Sequence, residues 1–103
     1  MILKVFEQAC RDIERFDEAL RRNFSLEVTV SSSSRRYPGQ VRSFAVRDLA
    51  DAMRFYFQRC SYARAVNDSD DTWRHADFTI CLRLVCYTDF FYSSDILTEE
   101  ICV

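Results

Sequence analysis

Hydrophobic and polar positions along this chain change period several times, and each change marks an element. Ile2, Phe6, Ala9, Ile13, Phe16, Leu20 and Phe24 recur every three or four residues, one apolar stripe of an α-helix over residues 2–24. The opposite side carries Glu7, Arg11, Glu14, Asp17, Glu18, Arg21 and Arg22, with Glu7/Arg11, Asp17/Arg21 and Glu18/Arg22 as favourable i,i+4 pairs. Asn23 suits the left-handed cap at its end. On this reading Ile13 and Phe16 are buried mid-stripe, Phe16→Ala costs about 3–5 kcal/mol, and Glu14 and Glu18 are solvated.

The period then drops to two. Leu26, Val28 and Val30 alternate with Glu27, Thr29 and Ser31, a half-buried strand. Pro38-Gly39 fits the centre of a type II turn, and 41–46 returns as a second strand with Phe44 and Val46 on one face. Asp48 is a good N-cap, and Leu49, Met53, Tyr56/Phe57 and Cys60 continue at helical spacing over 48–60. Tyr62, Arg64 and Val66 alternate with two alanines as a short strand. After a polar turn over 67–72, a long strand runs over 73–87, with Phe78, Ile80, Leu82, Leu84 and Cys86 facing one way and Thr79, Cys81, Arg83, Val85 and Tyr87 the other. The tail reads either as a helical turn capped by Ser94 or as an edge strand over 96–103.

The predicted order is α-β-β-α-β-β in one domain, 1–103. Short hairpins make the sheet mostly antiparallel, and two helices with one stripe each cover one of its faces. The expected architecture is an α+β two-layer sandwich on a four-stranded sheet, with a permuted ferredoxin-like order as its sharpest version.

Composition removes several classes. At 49% hydrophobic with a net charge of −2, the chain is not intrinsically disordered. One glycine excludes phosphate-binding glycine loops and with them nucleotide motifs. No apolar run is long enough to span a membrane, and the start, Met1 to Asp12, reaches charge too soon for a secretory signal, with Glu7, Arg11 and Asp12 where an apolar stretch would be needed. A cytoplasmic location is expected.

Candidate chemistry is sparse. The cysteines at 10, 60, 81, 86 and 102 are odd in number and lack the short paired spacing of zinc sites; they read as reduced core hydrophobes, and no metal or cofactor is expected. His75 is the only histidine, and no cysteine- or serine-centred signature accompanies it. Asp68, Asp70 and Asp71 open like a calcium loop, but Trp73 and Thr79 stand where that loop needs Gly and Glu. The expectation is a protein that is not an enzyme.

Charge segregates. Residues 1–64 hold 12 basic and 8 acidic side chains, and 65–103 hold 2 and 8. Two binding features follow. An acidic one comprises Asp68, Asp70, Asp71, Asp77, Asp89, Glu99 and Glu100, suited to a basic protein surface. A basic one comprises Arg35, Arg36, Tyr37 and Arg42 about the Pro-Gly turn, suited to phosphates and stacked bases. Net acidity disfavours affinity for nucleic acid built on counterion release. The triplets Phe55-Tyr56-Phe57 and Phe90-Phe91-Tyr92 each have to leave one member at the surface or an interface.

In size, single-domain organisation, charge segregation and lack of catalytic apparatus, the chain resembles small phage or mobile-element inhibitors, including anti-CRISPR proteins. The likeness is one of profile and involves no shared motif. It implies a protein-interaction module that occupies a partner's nucleic-acid-binding surface, the partner being a nucleic-acid enzyme or complex. A nucleic-acid-binding accessory protein using the Arg/Tyr hairpin is the second reading, and self-association as a homodimer the third.

Overall fold

The computed structural model describes residues 2–33, 38–67, 77–87 and 93–102. Helix α1 (Ile2–Glu14) and a short helix α2 (Glu18–Arg21) lead into strands β1 (Phe24–Ser32) and β2 (Gln40–Phe44). A 3-10 turn (Val46–Asp48) feeds helix α3 (Leu49–Asn67), and strands β3 (Phe78–Tyr87) and β4 (Ser93–Cys102) follow. The four strands form one antiparallel sheet in the order β2-β1-β3-β4, with helices packed on it in an α+β arrangement.

The sheet order follows from the pairings. Both β2 and β3 run antiparallel to β1, so they are parallel to one another, and α3 carries the chain between them while β1 lies in the gap. This is a split β-α-β unit. A permuted ferredoxin-like order would put the last strand in that gap. Here β4 extends the far edge beside β3 instead.

One core serves the helices and one face of the sheet. Leu26 and Val28 of β1 oppose Leu84 and Leu82 of β3, and all four are fully buried together with Ile80. Phe6, Cys10 and Ile13 from α1, Val46 from the turn, and Ala52, Phe55, Tyr56, Cys60 and Ala63 from α3 close over them. At about 25 cal/mol per Å² of apolar surface removed from water, these contacts dominate the folding free energy.

Four local readings change. The predicted helix over 2–24 breaks after Glu14, where the Arg15 and Phe16 amides bond back to Asp12 and Ile13 (3.2 and 3.0 Å). The cause is Asp17, whose extended backbone (φ −64°, ψ 162°) lets its carboxylate accept the Leu20 N–H at 3.0 Å. A good N-cap mid-helix offers the backbone a competing partner. Asp17 therefore caps α2 and makes no pair with Arg21, while Glu18–Arg22 (2.9 Å) and Glu7–Arg11 (3.9 Å) form. Phe16 leaves the core, 41% exposed, and rests against Phe24 with ring centres 5.8 Å apart.

The segment predicted as a short strand over 62–66 is instead the last turns of α3. Cys60 and Ala63 continue the buried stripe at helical spacing, and alanine favours the helix. The tail is the edge strand, which keeps four strands in the sheet. Val46 enters the 3-10 turn rather than β2, and Gly39 lacks the positive φ of a type II turn.

Candidate interaction surface

Strand alternation sends Glu27 and Thr29 of β1, and Cys81, Arg83, Val85 and Tyr87 of β3, to the face away from the helices. On that face Glu27 is only 9% exposed. A buried carboxylate needs hydrogen-bonded or charged company. The Tyr87 hydroxyl donates to its Oε1, and the Arg83 guanidinium, directly across the strand pair, lies 4.0 Å from its Oε2.

Arg83 has a second acid through an irregularity in β4. Leu84 pairs with Leu97, but Val85 pairs with Asp95, so Ile96 is the extra residue of a bulge. Without it Asp95 would fall on the helix side. The bulge reverses its parity, and Arg83 Nε and Nη2 both donate to Asp95 Oδ1, at 2.9 and 2.5 Å. These bonds raise the Arg83 pKa above its ordinary value, so the guanidinium stays charged. Beyond the bulge, Glu100 faces Cys81 across the strands and its Oε2 accepts the thiol at 3.7 Å.

Three thiols are held in the neutral form. Burial, and then the charge on Glu14, pushes the Cys10 thiol up to about 11. Cys60 and Cys81 are also shifted upward, both chiefly by burial. A neutral thiol is a poor nucleophile. Burial likewise raises Tyr56, with Cys60 and the charge on Glu99 adding to it. Among the described residues no cluster of three or more His, Cys, Asp or Glu side chains gathers to hold a metal ion.

The predicted acidic residues are only partly brought together. Glu99 and Glu100 are neighbours on β4 but point to opposite faces: Glu99, half-buried, opposes Leu82 on the helix side, and Glu100 is exposed on the other. Asp77 is exposed at the start of β3, where its backbone N–H donates to Ser33 Oγ and its carbonyl accepts the Ser33 N–H, both at 3.0 Å. Because β3 and β4 are antiparallel, Asp77 and Glu100 lie toward the same end of the sheet. Asp68, Asp70, Asp71 and Asp89 lie outside the described residues, as do Arg35, Arg36, Tyr37 and the triplet 90–92.

Arg42 has a different setting. It opposes Val28 and so belongs to the helix side of the sheet. Its guanidinium carbon sits 5.1 Å from the Phe44 ring centre and 4.9 Å from that of Phe55, and Arg59 approaches Phe55 at 4.7 Å. Cation–π contacts of this kind hold the guanidinium over the rings. Of the first aromatic triplet, Phe55 and Tyr56 are buried and Phe57 is exposed, as one helix face requires.

The two sheet edges thus differ in sign. Strand β2 carries Arg42 and no acid, whereas β4 carries Asp95, Glu99 and Glu100 and no base. Asp95, Arg83, Glu27 and Tyr87 were not among the predicted binding residues. Their alternation was visible, but the bulge and the register that join them were not. Among the described residues no helix is long and apolar enough to cross a membrane. Comparison with known protein families, curated proteins and solved structures finds no match to this chain.

Proposed function

We propose that this chain is a non-enzymatic protein-interaction module whose acidic edge strand, β4, is set against the basic, nucleic-acid-binding surface of a protein partner. This is the mode of action of a small phage or mobile-element inhibitor of the anti-CRISPR-like kind, working in the cytoplasm with its cysteines reduced. One observation carries the reading: β4 is an outer strand of the sheet with three carboxylates and no base of its own along its ten residues, Asp95 being paired to Arg83 of β3. An acidic strand of this kind competes with nucleic acid for a cationic channel through long-range complementarity. The upward-shifted thiols support a binding role over nucleophilic catalysis.

The test has two arms. Fluorescence anisotropy with random duplex DNA and with single-stranded RNA at physiological salt should show only weak binding. A partner retained by the immobilised protein from nuclease-treated host extract should be released by added duplex DNA. Submicromolar direct binding to either nucleic acid would replace this reading with the accessory-protein one. A retained partner indifferent to DNA competition would refute occupation of a nucleic-acid site.

A further inference from the structure

The break between α1 and α2 has a consequence on another surface. A continuous helix would hold Arg21 and Arg22 on its solvent side. With the chain turned at Asp17, they instead line a cleft of about 370 Å³ between the α1–α2 corner and the corner that joins β2 to α3. Arg47, from the 3-10 turn, lines it from the other wall. Ile13 and Val46 are buried residues at its base, and half-buried Phe24 adds an aromatic wall.

The charges in this cleft do not cancel locally. Glu18 is committed to Arg22 at 2.9 Å. Glu14 remains on the α1 side, while neither Arg21 nor Arg47 has an acid partner among the described residues. Elsewhere Arg11, Arg54 and Arg83 have carboxylates, and Arg42 and Arg59 have aromatic rings. Two unpaired guanidinium groups above an apolar floor complement a flat apolar body that bears an oxyanion. The volume falls within the usual range for small-molecule sites, about 300–1,000 Å³.

We propose that this cleft binds a small ligand carrying a carboxylate or phosphate on an aromatic or short aliphatic body. The apolar part packs on Phe24, Ile13 and Val46, and the oxyanion takes hydrogen bonds from Arg21 and Arg47. Because these arginines come from different elements, the bound anion ties α2 to the β2–α3 corner. The site is separate from β4 and stands or falls independently of the proposed partner.

The experiment is an amide NMR titration with four probes: benzoate, phenyl phosphate, inorganic phosphate and benzamidine. Benzoate or phenyl phosphate should give saturable shifts at Ile13, Phe24, Val46 and Arg47. Tighter binding of phenyl phosphate assigns a phosphate ester, and tighter binding of benzoate a carboxylate. Affinity should fall at least tenfold in Arg21→Ala/Arg47→Ala and be unchanged in Arg54→Ala, whose partner Asp51 lies elsewhere. All three side chains are exposed, so the amide spectra should retain the native pattern. The proposal is overturned if neither aryl anion saturates, if benzamidine or inorganic phosphate produces the same shifts, or if the double variant binds like the parent.

Discussion

The two faces of the sheet use the same strands for opposite purposes. Toward the helices, Leu26, Val28, Ile80, Leu82 and Leu84 are fully buried and interchangeable in kind, because apolar contact needs volume more than direction. On the other face, Glu27, Arg83, Asp95 and Tyr87 hold each other by directed bonds, and each is specified by its partner. The first face tolerates exchange among apolar side chains but not lost volume. The second depends on the identity of each partner, and it adjoins the acidic edge assigned to binding.

That contrast can be broken by substitution. Leu82→Ala should be the costliest change, about 2–5 kcal/mol, since it removes a fully buried side chain and leaves a cavity; urea unfolding measures it. Glu27→Ala should cost about 1–3 kcal/mol by stranding the Tyr87 hydroxyl and one side of Arg83, and Glu27→Gln should recover most of that. Equal loss in the Ala and Gln variants would show that the charge facing Arg83, not the hydrogen bond from Tyr87, governs this position. Phe16→Ala should cost only about 1 kcal/mol, the scale of one aromatic pair, because the ring is 41% exposed. A cost as large as that of Leu82→Ala would restore the unbroken helix.

A pH effect sharpens the account of the buried side. The neutral Cys10 thiol is favoured by folding, so its contribution is complete below the ordinary value of 9 and is lost as pH rises to about 11. Over that window the unfolded chain releases its proton first. The fall in stability between about pH 9 and 11 should therefore be shallower in Cys10→Ala than in the parent. Identical slopes would remove Cys10 from the buried set.

The sequence made the helix-facing half legible and left much of the other half hidden. The alternation in β1 and β3 is a strong periodic signal, and it correctly paired Ile80, Leu82 and Leu84 on one face. The α1 stripe was also clear, but its end was not: Phe16 and Leu20 keep helical spacing while the local bond at Asp17 overrides it. The stretch 62–66 satisfies both periods, since alanine fills either a strand or a helix face, and only its continuity with Cys60 decides. Asp95 was out of reach for another reason. One extra residue, Ile96, inverts the parity of what precedes it, and a bulge in an edge strand leaves no periodic trace.

The central claim is that Glu99 and Glu100 of β4 serve binding and not the fold. The most direct measurement compares the parent with Glu99→Gln/Glu100→Gln, recording thermal midpoint and partner retention from host extract side by side. The account predicts a midpoint shifted by no more than a few degrees, retention lost in the variant, and parent retention weakened by added salt as charge complementarity requires. Undiminished retention by a folded Glu99→Gln/Glu100→Gln protein would contradict it.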